Sequence, residues 1–174
     1  MIHLIDKNIK PCLGCYSISQ KKCRFPCIQR DDMEEIYKLL TKDPQVEWGI
    51  GKVSEKVIDK INILEATKLA MKKAIKKLKR RPDFLILDGN FKINSNIPQK
   101  SIIKADEKVF SCAAASIIAK VRRDKIMQRY HQKYPKYRFD RHKGYPTKLH
   151  LRMLKKYGPC KIHRKSFRPV AKKI

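Results

Sequence analysis

The stretch that most constrains this chain is "DFLILDGNFKINSNIPQKSIIKADEKVF", residues 83–110. Phe84, Leu85, Ile86 and Leu87 form a continuous apolar run that ends on Asp88, and a second short run, Ile102 and Ile103, ends just before Asp106. Short apolar runs bounded by turn residues read as strands, so the chain is expected to build a sheet from which two strands each deliver a carboxylate near their end. Each aspartate has a plainer reading. Asp88-Gly89 is a hairpin-turn signal, and Asp106 stands where an acid would meet the start of a helix. Taken together they point elsewhere, because two carboxylates at neighbouring strand ends repel unless a cation lies between them. Hard divalent ions such as Mg²⁺ take carboxylate oxygens together with water and phosphate, and two-metal hydrolysis of a phosphodiester uses this kind of arrangement.

The charge balance says whose phosphate that would be. Across 174 residues, 43 Lys and Arg stand against 16 Asp and Glu, a formal net charge of +27 spread along the chain and not gathered in a tail. Lys and Arg displacing counterions from phosphates supply most non-specific nucleic-acid affinity, so the expected partner is a nucleic acid. No run reaches the ~18 consecutive apolar residues of a spanning helix, and the apolar core of "MIHLIDKNIKP" is too short for a signal peptide. A membrane-spanning protein is thereby disfavoured, and the expected setting is the cytoplasm, as a monomer. Cys112 and Cys160 then read as free thiols. Cys12, Cys15, Cys23 and Cys27 form a C-x2-C-x7-C-x3-C cluster, which is read either as a small zinc site, with a middle spacing short for the common types, or as a segment outside the working fold.

The chain changes character near residue 32. From Met33 the signals become regular. "DDMEEIYKLLTKD" predicts a helix with acids in its first turn and Ile36, Leu39 and Leu40 on one face. "PQVEWGIGKVS" alternates Val46, Trp48 and Ile50 and predicts a strand, with glycines that allow close packing on its other side. "DKINILEATKLAMKKAIKKLKRR" places Leu64, Met71, Ile75 and Leu78 on one stripe of an amphipathic helix that Pro82 stops. After the two strands, "VFSCAAASIIAKVRRDKIMQRYHQKYP" predicts the longest helix, with Phe110, Ala114, Ile117, Val121 and Tyr130 on one face. A last helix in "PTKLHLRMLKKYGP" is bounded by Pro146 and Thr147 at one end and Gly158 and Pro159 at the other. Helices and strands in this order predict an α/β or α+β domain with helices packed on a sheet.

A third feature is "YRFDRHKGYPTKLH", which interleaves Arg138, Arg141, His142 and Lys143 with Tyr137, Phe139 and Tyr145. Cations for phosphates and aromatics for stacking suit a nucleic-acid surface; a loop anchored to the core by its aromatics has the same composition. The basic tail "GPCKIHRKSFRPVAKK" adds His163 and Arg164 as further candidates for backbone contact.

The blocks "FLILDGN", "IIKADEKVFSCAAASIIAKVRRD", "YPKYRFDRHKGYPTKLHLRMLKKYGP" and "IHRKSFRPV", with the upstream "VEWGIGKVSEKVIDKINILEATKLAMKKA", resemble bacterial-type ribonuclease HII from about Met33 to Val170. The resemblance implies an α/β, ribonuclease H-like mixed sheet flanked by helices, with a C-terminal helical segment. It also implies hydrolysis of the RNA strand of RNA-DNA hybrids, and of ribonucleotides embedded in DNA, with Mg²⁺ or Mn²⁺. By it Asp88 and Asp106 match two of the family's four metal carboxylates, and Tyr145, in "HKGY", matches the tyrosine that packs on the deoxyribose beside the ribonucleotide. Asp124, in "VRRD", matches a further acid typical of the family. Arg141, His142, Lys143 and Arg164 fall in the blocks expected to face substrate.

The family's opening strand, with its Asp-Glu pair and Ala-Gly-Arg-Gly, has no counterpart in this sequence, nor has the Asp-Ser-Lys-Lys block that follows it. The expected organisation is a non-matching, Cys-rich segment at residues 1–32 and an N-terminally truncated ribonuclease HII-like domain at residues 33–174, as a truncated or frame-shifted gene would give. The functional expectation is an endoribonuclease of this family with half of its metal carboxylates missing. The alternative is a catalytically inactive, basic remnant that binds RNA-DNA hybrid.

Overall fold

The structure, a computed structural model, describes residues 33–171. Helix α1 (Met33–Lys42) carries Glu34 and Glu35 in its first turn, where they suit the helix dipole. Its buried stripe is Ile36, Tyr37 and Leu40, while Leu39, expected on that face, is 40% exposed. The stripe packs on Ala114, Ile117, Ile118 and Val121 of α4 (Phe110–Lys133), with Val46, Trp48 and Ile50 closing over the cluster.

The strand expected at Val46–Ile50 does not form: residues 46–54 carry no strand assignment. Alternation sets an extended backbone with two distinct faces, but a strand also needs a neighbour to pair with. Here the apolar face meets α1 and α4, and the glycine face lies directly on the backbone of α2 (Glu55–Ile75). A Cβ at Gly51 would sit 1.7 Å from the Ala70 carbonyl oxygen, and one at Gly49 would sit 2.3 Å from that of Ala74. The close packing expected of these glycines is therefore present, against a helix.

Helix α2 is interrupted at Asn62, whose backbone lies at φ 65° and ψ 172°. Its side-chain Oδ1 accepts from the Leu64 and Glu65 amides at 2.9 and 3.1 Å, so Asn62 caps a second helical half. The break rotates the apolar stripe: Leu64 is 45% exposed, whereas Met71 and Ile75 pack on Leu85, Leu87, Ile93 and Ile97. Helix α2 ends at Ile75, before Leu78 and Pro82 are reached.

Strands β1 (Leu85–Asp88) and β2 (Gln99–Ile102) pair in parallel, with Asp88 opposite Ile102. This overturns the hairpin reading of Asp88-Gly89, since a chain reversed there would give antiparallel strands. Residues 89–98 instead run back along the pair. They are held by Gln99, whose side chain bonds both the amide (2.9 Å) and the carbonyl (2.8 Å) of Ile93. Ser101 Oγ adds a hydrogen bond to the Phe91 carbonyl at 2.5 Å. Among the described residues the sheet is this parallel pair, where a mixed sheet was expected. The second strand also ends earlier than its apolar residues implied, because Lys104 turns into the left-handed region at φ 58°.

Helix α3 (Ala105–Lys108) follows at once, then α4. Phe110, expected on the packed face of α4, is 55% exposed. A 3-10 turn (Pro135–Tyr137), α5 (Phe139–His142), α6 (Lys148–Tyr157) and α7 (Arg168–Ala171) complete the order. Thr147 Oγ1 caps α6 by accepting from the His150 amide at 3.2 Å, and Gly158 ends it at φ 71°. Tyr137, Phe139, Leu154 and Val170 form the core of this end. Asp59 of α2 ties the C-terminal segment down, accepting from the Lys165 and Ser166 amides at 2.8 and 2.9 Å and from Ser166 Oγ at 2.5 Å.

Two alanine substitutions at glycine separate close approach from backbone conformation. Gly51→Ala drives a methyl into the α2 backbone and is expected to destabilise by roughly 3 kcal/mol. Gly158→Ala meets open space and is expected to cost only the glycine-favouring backbone at φ 71° and ψ −176°, about 1–2 kcal/mol. Urea denaturation midpoints would measure both, and equal losses would contradict the packing account.

Candidate active site

The two expected carboxylates both lie at the C-terminal end of the parallel pair. Asp88 closes β1, and its Oδ1 accepts from the Ala105 amide at 3.0 Å. The left-handed Lys104 aims that amide back at the strand end. Asp106 follows in the first turn of α3, exposed to solvent. On the neighbouring helix α4 the Cys112 thiol lies 3.7 Å from the Ile86 carbonyl oxygen of β1. Burial pushes its pKa up, and the charges of both Asp88 and Asp106 push it further. The Ala105 amide on Asp88 Oδ1 puts the residue before Asp106 against the strand end, so both carboxylates belong to one neighbourhood.

As a donor set, two exposed carboxylates match a hard divalent ion that keeps water and takes further oxygens from phosphate. Among the described residues no three or more His, Cys, Asp or Glu side chains come together as a metal cage. Cys12, Cys15, Cys23 and Cys27 lie outside the described residues.

Tyr145 is held at its far end by helix α4. Its hydroxyl is bonded to an Arg123 guanidinium nitrogen, and the same guanidinium lies over its ring, 4.5 Å from the centroid. Asp124 Oδ1 accepts from Arg123 Nε at 2.8 Å. Burial works against the Arg123 charge, and the Asp124 carboxylate and the Tyr145 hydroxyl more than offset it. Asp124, singled out as a further acid, thus acts on Tyr145 through Arg123. Sequence reasoning passed over Arg123, since one arginine in so basic a chain carries no signal of its own.

The other expected substrate residues take different places. Lys143 adopts the left-handed conformation, and its Nζ donates to the Asp140 carbonyl at 2.5 Å. Arg141 Nε lies 4.0 Å from Asp140 Oδ2, and the Arg164 guanidinium covers the Phe167 ring at 4.9 Å. His142 corrects the expectation of a surface contact: it is 2% exposed, with Nε2 2.7 Å from the Tyr137 carbonyl oxygen. Tyr137 and Phe139 are likewise buried, so three of the seven residues of the basic-aromatic block anchor the loop, while Arg138 is exposed and Arg141, Lys143 and Tyr145 are half-buried.

Beneath this loop His142 stacks on His150, with centroids 4.1 Å apart and rings 12° from parallel. His150 Nε2 lies 3.0 Å from His163 Nε2, and His163 Nδ1 lies 2.9 Å from the Cys160 amide. Burial, and then the neighbouring His150, push His142 and His163 down to about 4; burial lowers His150 as well. His150 also went unnoticed in the sequence, since a lone histidine in "KLHLRM" gives no sign that two others from distant segments will join it.

The family model described as Ribonuclease HII matches residues 28–170. The chain belongs to the ribonuclease HII family. It is similar to the ribonuclease HII of Chlamydia trachomatis serovar L2, 54% identical over 139 residues, which cover 80% of this chain and 64% of that one. With that of Chlamydia caviae it is 56% identical over 136 residues, covering 78% and 64%. The crystal structure of the ribonuclease H2 from Pyrococcus horikoshii OT3 shares the fold, with a TM-score of 0.63 at 23% identity, over 91% of this chain and 78% of that one. The chain thus spans 64% of the length of the curated relatives it matches.

The buried imidazoles make its stability depend on pH. In the unfolded chain they titrate near the ordinary 6.5, whereas His142 and His163 titrate at about 4 when folded. Their contribution is fully present above about pH 6.5 and is lost as the pH falls toward 4, because the unfolded state binds protons first. The melting temperature is expected to be lower by roughly 5 °C or more at pH 4.5 than at pH 7.5. Scanning calorimetry across that range would check it, and a flat profile would contradict the burial of neutral rings.

Proposed function

We propose that this chain carries the strand-end carboxylates and the sugar-contacting loop of a divalent-metal-dependent endoribonuclease, which hydrolyses the RNA strand of RNA-DNA hybrids and ribonucleotides embedded in DNA. The observation that carries the reading is the hydrogen bond from the Ala105 amide to Asp88, which puts the residue before Asp106 against the end of β1, in a chain matched by the ribonuclease HII family over residues 28–170. Asp88 and Asp106 would hold Mg²⁺ or Mn²⁺. When bound, such an ion lowers the pKa of an attacking water and offsets the charge that develops on phosphodiester oxygens.

The chain's own groups do the positioning. The Ala105 amide fixes one oxygen of Asp88 and so orients the carboxylate. Tyr145 offers a partly exposed ring for the deoxyribose beside the ribonucleotide, with its hydroxyl end immobilised by Arg123. Arg141, Lys143 and Arg164 contact backbone phosphates, supported by the net charge of +27. The protein works in the cytoplasm as a monomer; the free thiols Cys112 and Cys160, and helices among the described residues too short or too polar to cross a membrane, are in keeping with that setting.

A second reading is a non-catalytic hybrid-binding protein. It is favoured by one observation, that among the described residues no three His, Cys, Asp or Glu side chains group so as to hold a metal ion.

Cleavage of a labelled DNA duplex containing one ribonucleotide separates the two. With Mg²⁺ or Mn²⁺, cutting on the 5′ side of the ribonucleotide is expected, and Asp88→Asn should lower the rate by roughly two orders of magnitude or more. Salt-sensitive binding without metal-dependent cutting would select the second reading. Cutting unaffected by Asp88→Asn would sink the proposed site.

A further inference from the structure

The hydrogen-bond geometry beneath the Tyr145 loop fixes the proton on every ring of the histidine cluster. His150 Nδ1 lies 2.8 Å from the Tyr145 carbonyl oxygen, which can only accept, so Nδ1 carries the hydrogen. In the neutral ring Nε2 is then bare, and it must accept from His163 Nε2, 3.0 Å away. That leaves His163 Nδ1 bare, facing the Cys160 amide at 2.9 Å and the Cys160 thiol at 3.1 Å. The Cys160 carbonyl is farther from this nitrogen, at 3.3 Å, and already accepts from the His163 amide at 3.0 Å. His142 is fixed independently: Nε2 donates to the Tyr137 carbonyl at 2.7 Å, and Nδ1 accepts from the Gly144 amide at 3.2 Å.

We propose that His150 is a positioning residue for Tyr145, the last member of a one-way relay that runs from the Cys160 amide through His163 and His150 to the Tyr145 carbonyl. The proposal rests on the reading of Tyr145 as the sugar contact. The relay holds the main chain of Tyr145, and Arg123 holds its hydroxyl. Gripped at both ends, the ring has one plane to offer a sugar. The Tyr145 amide, bonded to the His142 carbonyl at 2.8 Å, and the His142 ring stacked on His150 complete the seat. The Gly144-Tyr145 turn is thus set from residues 160–163, a segment that brings Arg164 with it.

The relay conducts in this sense only while its rings are neutral. A proton added to His150 or His163 would set N–H against N–H at one of its joints. The groups facing the cluster are Asp140 of α5, itself 3.2 Å from His131 of α4, together with Tyr137, Cys160 and the three rings themselves. Burial opposes added positive charge on these rings and outweighs what favours it, the Tyr137 carbonyl and Asp140 acting on His142 and the Cys160 backbone acting on His163.

The test joins a spectroscopic signature to binding. Long-range proton-nitrogen NMR of the wild-type chain at pH 7 should show hydrogen on Nδ1 of His150 and on Nε2 of His163 and His142; the opposite tautomer at His150 or His163 would overturn the relay. Binding to a duplex with one ribonucleotide and to the all-DNA duplex is then compared by anisotropy without divalent metal. His150→Phe keeps a ring on His142 but removes the donor, and should weaken binding to the ribonucleotide duplex by about tenfold while sparing the all-DNA duplex. His150→Asn, whose amide nitrogen stands in for Nδ1, should stay within about threefold of wild type. A Phe variant with wild-type preference would overturn the positioning role. If the wild-type chain shows no preference between the duplexes, the sugar-contact reading and the role built on it fail together, while the tautomers still decide whether the relay exists.

Discussion

The parallel pairing of β1 with β2 is the constraint on which the candidate site depends. With Asp88 opposite Ile102, the end of one strand lies beside the exit of the other, and the short step through Lys104 brings Ala105 onto Asp88 Oδ1. An antiparallel hairpin at Asp88-Gly89 would have turned the chain back before Ile102 and carried Asp106 away. The pairing in turn depends on residues 89–98, which span its length without regular structure and are kept in place by Gln99 and Ser101. Those two side chains do for this connection what a crossover helix does in most parallel pairs.

Helix α4 joins the carboxylates to the loop that would read the substrate. Cys112 lies near its start, its thiol 3.7 Å from the Ile86 carbonyl oxygen of β1. Further along, Ala114, Ile117, Ile118 and Val121 bury the α1 stripe, and beyond them Arg123 reaches Tyr145. One rigid element therefore sets the distance between strand ends and tyrosine. The loop itself has an interior of imidazoles, which let it be buried and still satisfy its carbonyl and amide groups, something aliphatic side chains cannot do.

Much of this could be read from residues alone. Continuous apolar runs announced β1 and, displaced by a few residues, β2, since burial on a sheet leaves a local mark. The caps of α6 were legible because Thr147 and Gly158 act within one turn. Elsewhere local pattern and tertiary outcome parted. Val46, Trp48 and Ile50 alternate as a strand does, and their backbone is extended onto a helix. Leu64 and Phe110 sit on helical stripes yet remain exposed, Leu64 because Asn62 breaks the register ahead of it. His142 stands among exposed cations in the sequence and is buried in the fold.

By itself the sequence determined the family and the strongly positive charge, and it singled out Asp88, Asp106 and Tyr145 as candidates, because each is a matter of residue identity in ordered blocks or of net charge. Only the tertiary structure decided the parallel sense of the strands and the hold of Arg123 on Tyr145. It alone brought His142, His150 and His163 together. The reason is physical: charge and local periodicity are properties of neighbours along the chain, while hydrogen-bond direction and burial are set between segments that meet only when the chain has folded.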